Sequence, residues 1–483
     1  MERTAGRGQR SVILYELNEV PWEILDLYAS RRPQSSVATL LARARCQTTV
    51  NEDHHDLQPW RTWPTFHKGM YCDQHGSFDL GQDPDTFRGE NIWDVAEAEG
   101  LRIGVFAPLQ SWPAHEPRNG GFYLPDTFSR TPETFPPSLR RFQAFNLNMT
   151  REQGFSAVAP LDGRELALAG LDMLAKGTTP RSAALILRQL VRERRDERFK
   201  AARPMMQALP SFDLFWRLHR KTRPHLSVFF TNHVAGMMHR YWGDAVPEYA
   251  MQFDYRPDEI FRRFLFEAMD ISDRQLGRLI RYAERHPEVV VIVASSMGQG
   301  PVPETSNRLC YVVKDPPRLA SVLELGPVQE GTAMYPHLAL IFPSAKAAKR
   351  AETALSSVTV DGNPLFYEVR VEGVSASCEI NLDDEVRTAD PRKEVIYRAL
   401  GPASNGRAGS VGEIGVEIAT RLGGGNTAQH IPEGILLTFG QGIAPDSSRA
   451  RISVLEAGPM ILDLLGIDRR PAAERTAVGT ASR

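Results

Sequence analysis

The chain has 483 residues, of which 42% are hydrophobic and 24% charged, and a formal net charge of −2. That length suits one large α/β domain with insertions or two to three ordinary domains, and the composition is that of a globular protein. The near-neutral balance excludes a global field that would draw nucleic acid or acidic lipid.

Cys46, Cys72, Cys310 and Cys378 lie far apart and form no CxxC pair. This excludes a zinc knuckle and a disulfide framework and predicts a reducing compartment. The opening MERTAGRGQR lacks the apolar core of a signal peptide, and no apolar run is long enough to span a bilayer. The expected setting is the cytoplasm, with neither a membrane nor a nucleic-acid polymer as partner.

In chain order, SVILYEL (Ser11–Leu17) reads as a buried strand. PWEILDLYAS after it reads as a helix with Pro21 in its first turn. Residues 56–82 gather hydroxyls, histidines and a lysine among tryptophans on a loop that enters a helix. Thr62, Thr65, His67 and Lys68 fall within two turns there, and a helix N-terminus favours an anion. The same residues are equally consistent with packing by Trp60, Trp63 and Phe66 and with capping of the helix. A helix at 91–99 and a strand at 101–107 follow. Residues 160–224 read as a basic, helical cap insertion with interleaved acids, a solvated face rather than a nucleic-acid patch.

A strand at 226–230 ends at Thr231-Asn232-His233, and a long helix at 262–284 leads to the β-branched strand 289–295. Residues 337–342 and 434–439 supply two more strands. Residues 345–425 read as a small mixed α/β subdomain, and 468–483 as a disordered tail. The core is expected to comprise 11–344 and 426–467. Continuous apolar strands alternating with helices predict a mostly parallel sheet covered on both faces. Ligands of such sheets sit beyond the carboxyl ends of the strands, which points to Asn18-Glu19, residues 231–233 and residues 295–300 as corners of one site.

Six blocks in order resemble the alkaline-phosphatase superfamily, in particular its type I phosphodiesterase/nucleotide-pyrophosphatase branch. They are VILYELNEVPWEIL, WPTFHKGMYCDQHGSFDLG, GLRIGVFAPLQSWPAHEPRNGGF, FFTNHVAGMMHRYW, VVVIVASSMGQGP and HIPEGILLTFGQGI with LEAGPMILDLLGI. The resemblance implies an alkaline-phosphatase-like core and a hydrolase that uses two divalent metals held by aspartates and histidines, with a Thr or Ser nucleophile.

Carried over residue by residue, His239 and His430 match metal-binding histidines. Asn18 stands where the first aspartate belongs, with Glu19 in place of its glycine. Ala235 falls where another aspartate belongs, beside Asn232 and His233. Ser295 and Ser296 replace an Asp-His pair, and the nucleophile position falls on Pro59, with Thr62 and Thr65 the nearest hydroxyls. Without the three carboxylates a two-metal site lacks the charge to offset desolvation.

The expected function is therefore a divergent hydrolase or transferase of a phosphate or sulfate ester or diester with at most one metal ion, zinc or manganese. His233, His239 and His430, with Asn232 in the shell, are the expected ligands. Asn18, Lys68, Ser295 and Ser296 would orient an anionic small molecule, and Glu19, or one of Glu52, Asp53 and Asp56, would act as base or partner to a histidine. The alternatives are a non-catalytic binder of an anion or nucleotide, and a metal-free enzyme using Thr62 or Thr65 with His67 as base. His54-His55 reads as a solvated loop pair, His337 as structural and His75 as a turn-shaping residue.

Overall fold

The computed structural model describes residues 9–153, 170, 172–304, 309–331, 333, 337–360, 362–380, 394–397, 407–420 and 425–467. Seven strands are labelled here: β1 (Ser11–Leu17), β2 (Arg45–Val50), β3 (Ile103–Phe106), β4 (Gly121–Leu124), β5 (Leu226–Thr231), β6 (Val289–Ala294) and β7 (Gly298–Pro301). The large sheet runs β4-β3-β5-β1-β6 and continues through the strand Leu436–Gly440, β2 and the strand Asp446–Ser453. The β4-to-β6 block is parallel throughout, and β2 is parallel to Asp446–Ser453. Leu436–Gly440 runs antiparallel to both β6 and β2. The fold is α/β with a mostly parallel central sheet.

Alternation along β1 shows why both faces are covered. Ile13, Tyr15 and Leu17 enter one core with the long helix Phe264–Arg285 and the helix Ala208–Thr222. Val12 and Leu14 enter another with Trp63, Phe66 and Trp93. Successive strand residues point to opposite faces, so an apolar run with no polar alternation needs helices on both sides.

Three expectations about architecture change. The strand His337–Ile341 is not in the central sheet; it pairs antiparallel with Ser375–Ile380 and Gln329–Glu330 in a separate sheet. That sheet belongs to a second core that already includes Tyr311 and Leu319, ahead of the expected start at 345. Within 160–224, the helix Ala208–Thr222 buries Phe212, Phe215 and Leu218 in the main core. It is a sheet-covering helix rather than part of a cap, because its apolar face repeats with helical period toward the sheet. The residues 160–169 and the tail 468–483 lie outside the described residues. Among the described residues no helix is long and apolar enough to cross a membrane, and Cys46, Cys72 and Cys378 are free thiols.

Candidate metal centre

The carboxyl ends of β1, β5 and β6 converge as the sheet topology requires. Chain reversal after β1 puts Glu19 in the left-handed region at φ 62°, where a non-glycine residue is strained by about 1–3 kcal/mol. Its side chain is buried, and four groups hold it. Asn18 Nδ2 donates to Glu19 Oε1 at 2.7 Å, Gln299 Nε2 donates to Oε2, and His239 Nε2 and His430 Nε2 lie 3.0 and 3.4 Å from Oε2.

His239 comes from the helix His233–Ala245, which follows β5. His430 comes from the short strand Ala428–Ile431, whose register with β7 sets it opposite Gln299. The two rings stand edge to face at 5.1 Å. Ligand atoms of Glu19, His239 and His430 all lie within 4.8 Å of one another.

The protonation pattern of the rings is informative. His239 Nδ1 donates to the carbonyl of Ala428 at 3.0 Å, which leaves its Nε2 to face Glu19. His430 Nε2 is buried and lies 3.4 Å from Glu19 Oε2, while the Leu57 main chain hydrogen-bonds the ring. Neutral rings in these tautomers would aim two lone pairs at one carboxylate oxygen. The cluster therefore needs positive charge, as ring protons or as a cation among the three groups. Burial opposes ionisation of Glu19, but His430 and then His239 hold it well below the usual carboxylate range. Burial likewise opposes a proton on His430, and Glu19 raises that ring above its ordinary value.

His233 does not join this group. Its Nε2 lies 3.1 Å from the Ala268 carbonyl and 3.1 Å from Ser272 Oγ, and its Nδ1 accepts from Thr231 Oγ1 at 2.7 Å. Burial pushes the ring down to about 4. Glu19, expected as a base, stands instead where the third histidine was expected. Asn232 is also outside the group: its Oδ1 accepts from Asn18 Nδ2 at 2.6 Å. Asn18 is spent on internal bonds, because its Oδ1 also accepts from Trp63 Nε1 at 2.7 Å.

The helix Pro59–Lys68 begins with Pro59 in its first turn and stops at Gly69, left-handed at φ 62°. Pro64 has no N–H for the Trp60 carbonyl, and Ser77 Oγ donates to that carbonyl instead at 3.2 Å. The hydroxyls on this helix are engaged. Thr62 Oγ1 shares a 2.8 Å bond with Ser296 Oγ. Thr65 donates to the Arg61 carbonyl at 3.0 Å and lies 3.1 Å from His75 Nε2. His75 Nδ1 accepts from the Ser77 N–H, so Nε2 carries the proton and donates to Thr65.

His67 is not the partner of either threonine. Its Nε2 meets Glu16 Oε1 at 2.5 Å, both side chains fully buried, and it stacks against Trp63. The metal-free threonine–His67 pairing is thereby corrected. Lys68 also points elsewhere: its Nζ donates to the Arg88 carbonyl at 2.9 Å and burial holds it down to about 8. Ser295 Oγ donates to the Leu17 carbonyl and accepts from Val20 N–H at 3.1 Å, tying the ends of β1 and β6 together.

A second group, Asp53, His54 and His55, also holds its ligand atoms within 4.8 Å. The Asp73 carboxylate contacts both of these rings, and His54 and Asp73 are largely exposed, as a solvated loop pair would be. Of the other named residues, His337 lies edge-on to Trp60.

Members of the buried network line two hollows. A cavity of about 210 Å³ is bordered by Asn18, Asn232, Trp60, Phe230 and Arg240. A groove of about 430 Å³ is bordered by His430, Gln299, Trp22 and Glu433. Sequence reasoning reached Gln299 only as part of the corner at 295–300 and did not single out Arg240. The pairing of Gln299 with His430 follows from strand register, and Arg240 follows His239 on one helix.

No protein-family model matches the chain, and no curated protein does. Among solved structures, murine ectonucleotide pyrophosphatase/phosphodiesterase 5 is similar over 96% of both chains, at 11% identity. The TM-score is 0.41 for an inactive variant in complex with AMP and 0.40 for a second structure of that protein.

Proposed function

We propose that the chain is a divergent hydrolase of a phosphate or sulfate ester or diester that holds one divalent metal ion on Glu19, His239 and His430. The observation that carries this reading is the pair of imidazole Nε2 atoms facing one buried carboxylate oxygen, with the Nδ1 of His239 committed to a main-chain carbonyl. Two neutral nitrogens and one anionic oxygen match zinc or manganese in donor type, and three protein ligands leave positions for substrate. A metal there would supply Lewis acidity and charge neutralisation toward an ester oxygen.

The chain's own residues then have defined tasks. Glu19 stays ionised and contributes charge rather than acting as base. Asn18 and Gln299 fix its rotamer. Arg240 borders the adjoining cavity and offers a cation to an anionic substrate. The attacking oxygen is assigned to water, because Thr62 and Ser296 bond each other and Thr65 and Ser295 donate to main-chain carbonyls, so these hydroxyls are not paired with a base. In that reaction the water oxygen bonds to phosphorus or sulfur, the ester bond to the leaving alkoxide breaks, and the proton that the water gives up is balanced by the one the alkoxide gains. The order of motifs resembling the phosphodiesterase branch supports the same substrate class.

The test is hydrolysis of bis(4-nitrophenyl) phosphate, 4-nitrophenyl phosphate and 4-nitrophenyl sulfate by protein loaded with zinc or manganese. The reading expects turnover of at least one ester that is lost on chelation and in the Arg240→Ala variant. Metal binding without any turnover would favour the non-catalytic anion binder instead.

A further inference from the structure

A hollow of about 490 Å³ lies where the helices Pro180–Arg195 and Ser36–Arg43 begin against the middle of Phe264–Arg285. Its charged lining is Arg181, Arg274, Arg278 and Arg281 with Asp213 and Asp273, four guanidiniums against two carboxylates. The acids are already committed. Asp213 accepts from Thr179 N–H and Oγ1, from Ser182 Oγ and, at 2.9 Å, from Arg278. Asp273 accepts from the Val37 N–H at 2.9 Å.

The helix starts are capped as well, by Ser35 and Thr179, so the donors left to the hollow are the guanidiniums of Arg181, Arg274 and Arg281 and not backbone amides. Arg274 is half-buried, and its guanidinium is held below its ordinary value, first by burial and then by the charge of Arg181, against the opposing charges of Asp270 and Asp273. Gathering like charges around a concavity is unfavourable unless an anion completes it, and the arginine fork matches phosphate oxygens geometrically.

We infer that this arginine-lined hollow is a binding site for a phosphate dianion, separate from the Glu19 cluster. Two sources of that chemistry fit: a small soluble diphosphate, or the headgroup of an anionic phospholipid. The second is raised by the helix Pro180–Arg195, which exposes Leu187 (63%), Leu190 (44%) and Val191 (48%) among Arg188, Arg194 and Arg195. Arg181 belongs both to this helix and to the hollow.

The test uses the full chain after chelation, so that the Glu19 cluster cannot hold a metal. Inorganic diphosphate is titrated calorimetrically, and flotation is run with phosphatidylcholine vesicles with and without phosphatidic acid. Two variants are carried through both: Arg274→Ala, and Arg181→Ala at an exposed position that leaves folding intact. The expected result is binding that falls by about tenfold or more in each variant and weakens with salt, while His430→Ala binds as the wild type does. Saturable diphosphate binding identifies a soluble ligand. Flotation that needs phosphatidic acid, without diphosphate binding, identifies the lipid headgroup. Absence of both, or binding that neither arginine variant weakens, overturns the inference. Failure of the metal reading would leave this outcome untouched, because no metal is present.

Discussion

The Glu19–His239–His430 cluster and the helix Pro59–Lys68 are both dense in buried polar groups, yet they end differently. On the helix, every hydroxyl finds a partner within the protein, and His67 closes on Glu16. In the cluster, imidazole nitrogens from two different elements turn toward one oxygen of a buried carboxylate, at 3.0 and 3.4 Å. Polar richness alone does not mark a site. What a metal centre needs is donor atoms from separate elements converging on one point.

The contrast can be broken by mutation, and the largest effect is expected at the cluster. Glu19→Gln keeps the side chain's size but removes the charge, and His430→Asn removes a ligand. Each should abolish stoichiometric binding of zinc or manganese, read by equilibrium dialysis, while the chain remains folded by circular dichroism. The helix should respond in the opposite sense. Glu16→Gln or His67→Leu breaks a fully buried pair and should cost about 3–5 kcal/mol of stability in denaturant melts, with metal stoichiometry unchanged in whatever fraction folds. A stability loss under about 1 kcal/mol there would show that the pair does not carry the packing of helix on strand.

A smaller effect concerns pH. Burial pushes His219 down to about 4, so the unfolded chain binds its proton more readily. Stability from this group is present above pH 6.5 and is lost as pH falls from 6.5 toward 4, by about 3 kcal/mol in full. Asp126 and Asp244, raised to about 6 by burial, act in the reverse direction between pH 3.8 and 6. The difference between wild type and His219→Asn isolates the histidine: it should shrink as pH is lowered through that window. Smallest of all, Thr62→Val leaves Ser296 short of one partner and should cost about 1 kcal/mol.

Much of the fold was legible because β-branched runs such as Val289–Ala294 admit few alternatives to a buried strand. The strand His337–Ile341 was misplaced because an apolar run does not say which sheet it joins. Of the proposed ligands, His239 and His430 were picked out by the motif order, whereas Glu19 was expected as a base rather than a ligand. The assignment of His233 failed on helical geometry: six residues from His239 leaves the two about 120° apart around the axis, so the rings leave different faces of one helix. That signal was in the numbering. The Glu16–His67 pair was not, since nothing local links residues 51 apart in sequence.

The most direct measurement is metal content, by elemental analysis after equilibrium dialysis against zinc or manganese, of untagged wild type, Glu19→Gln, His430→Asn and His233→Asn. The account predicts about one ion per chain in the wild type and in His233→Asn, and none in the other two. No ion in the wild type, or one retained in Glu19→Gln and lost in His233→Asn, would contradict it.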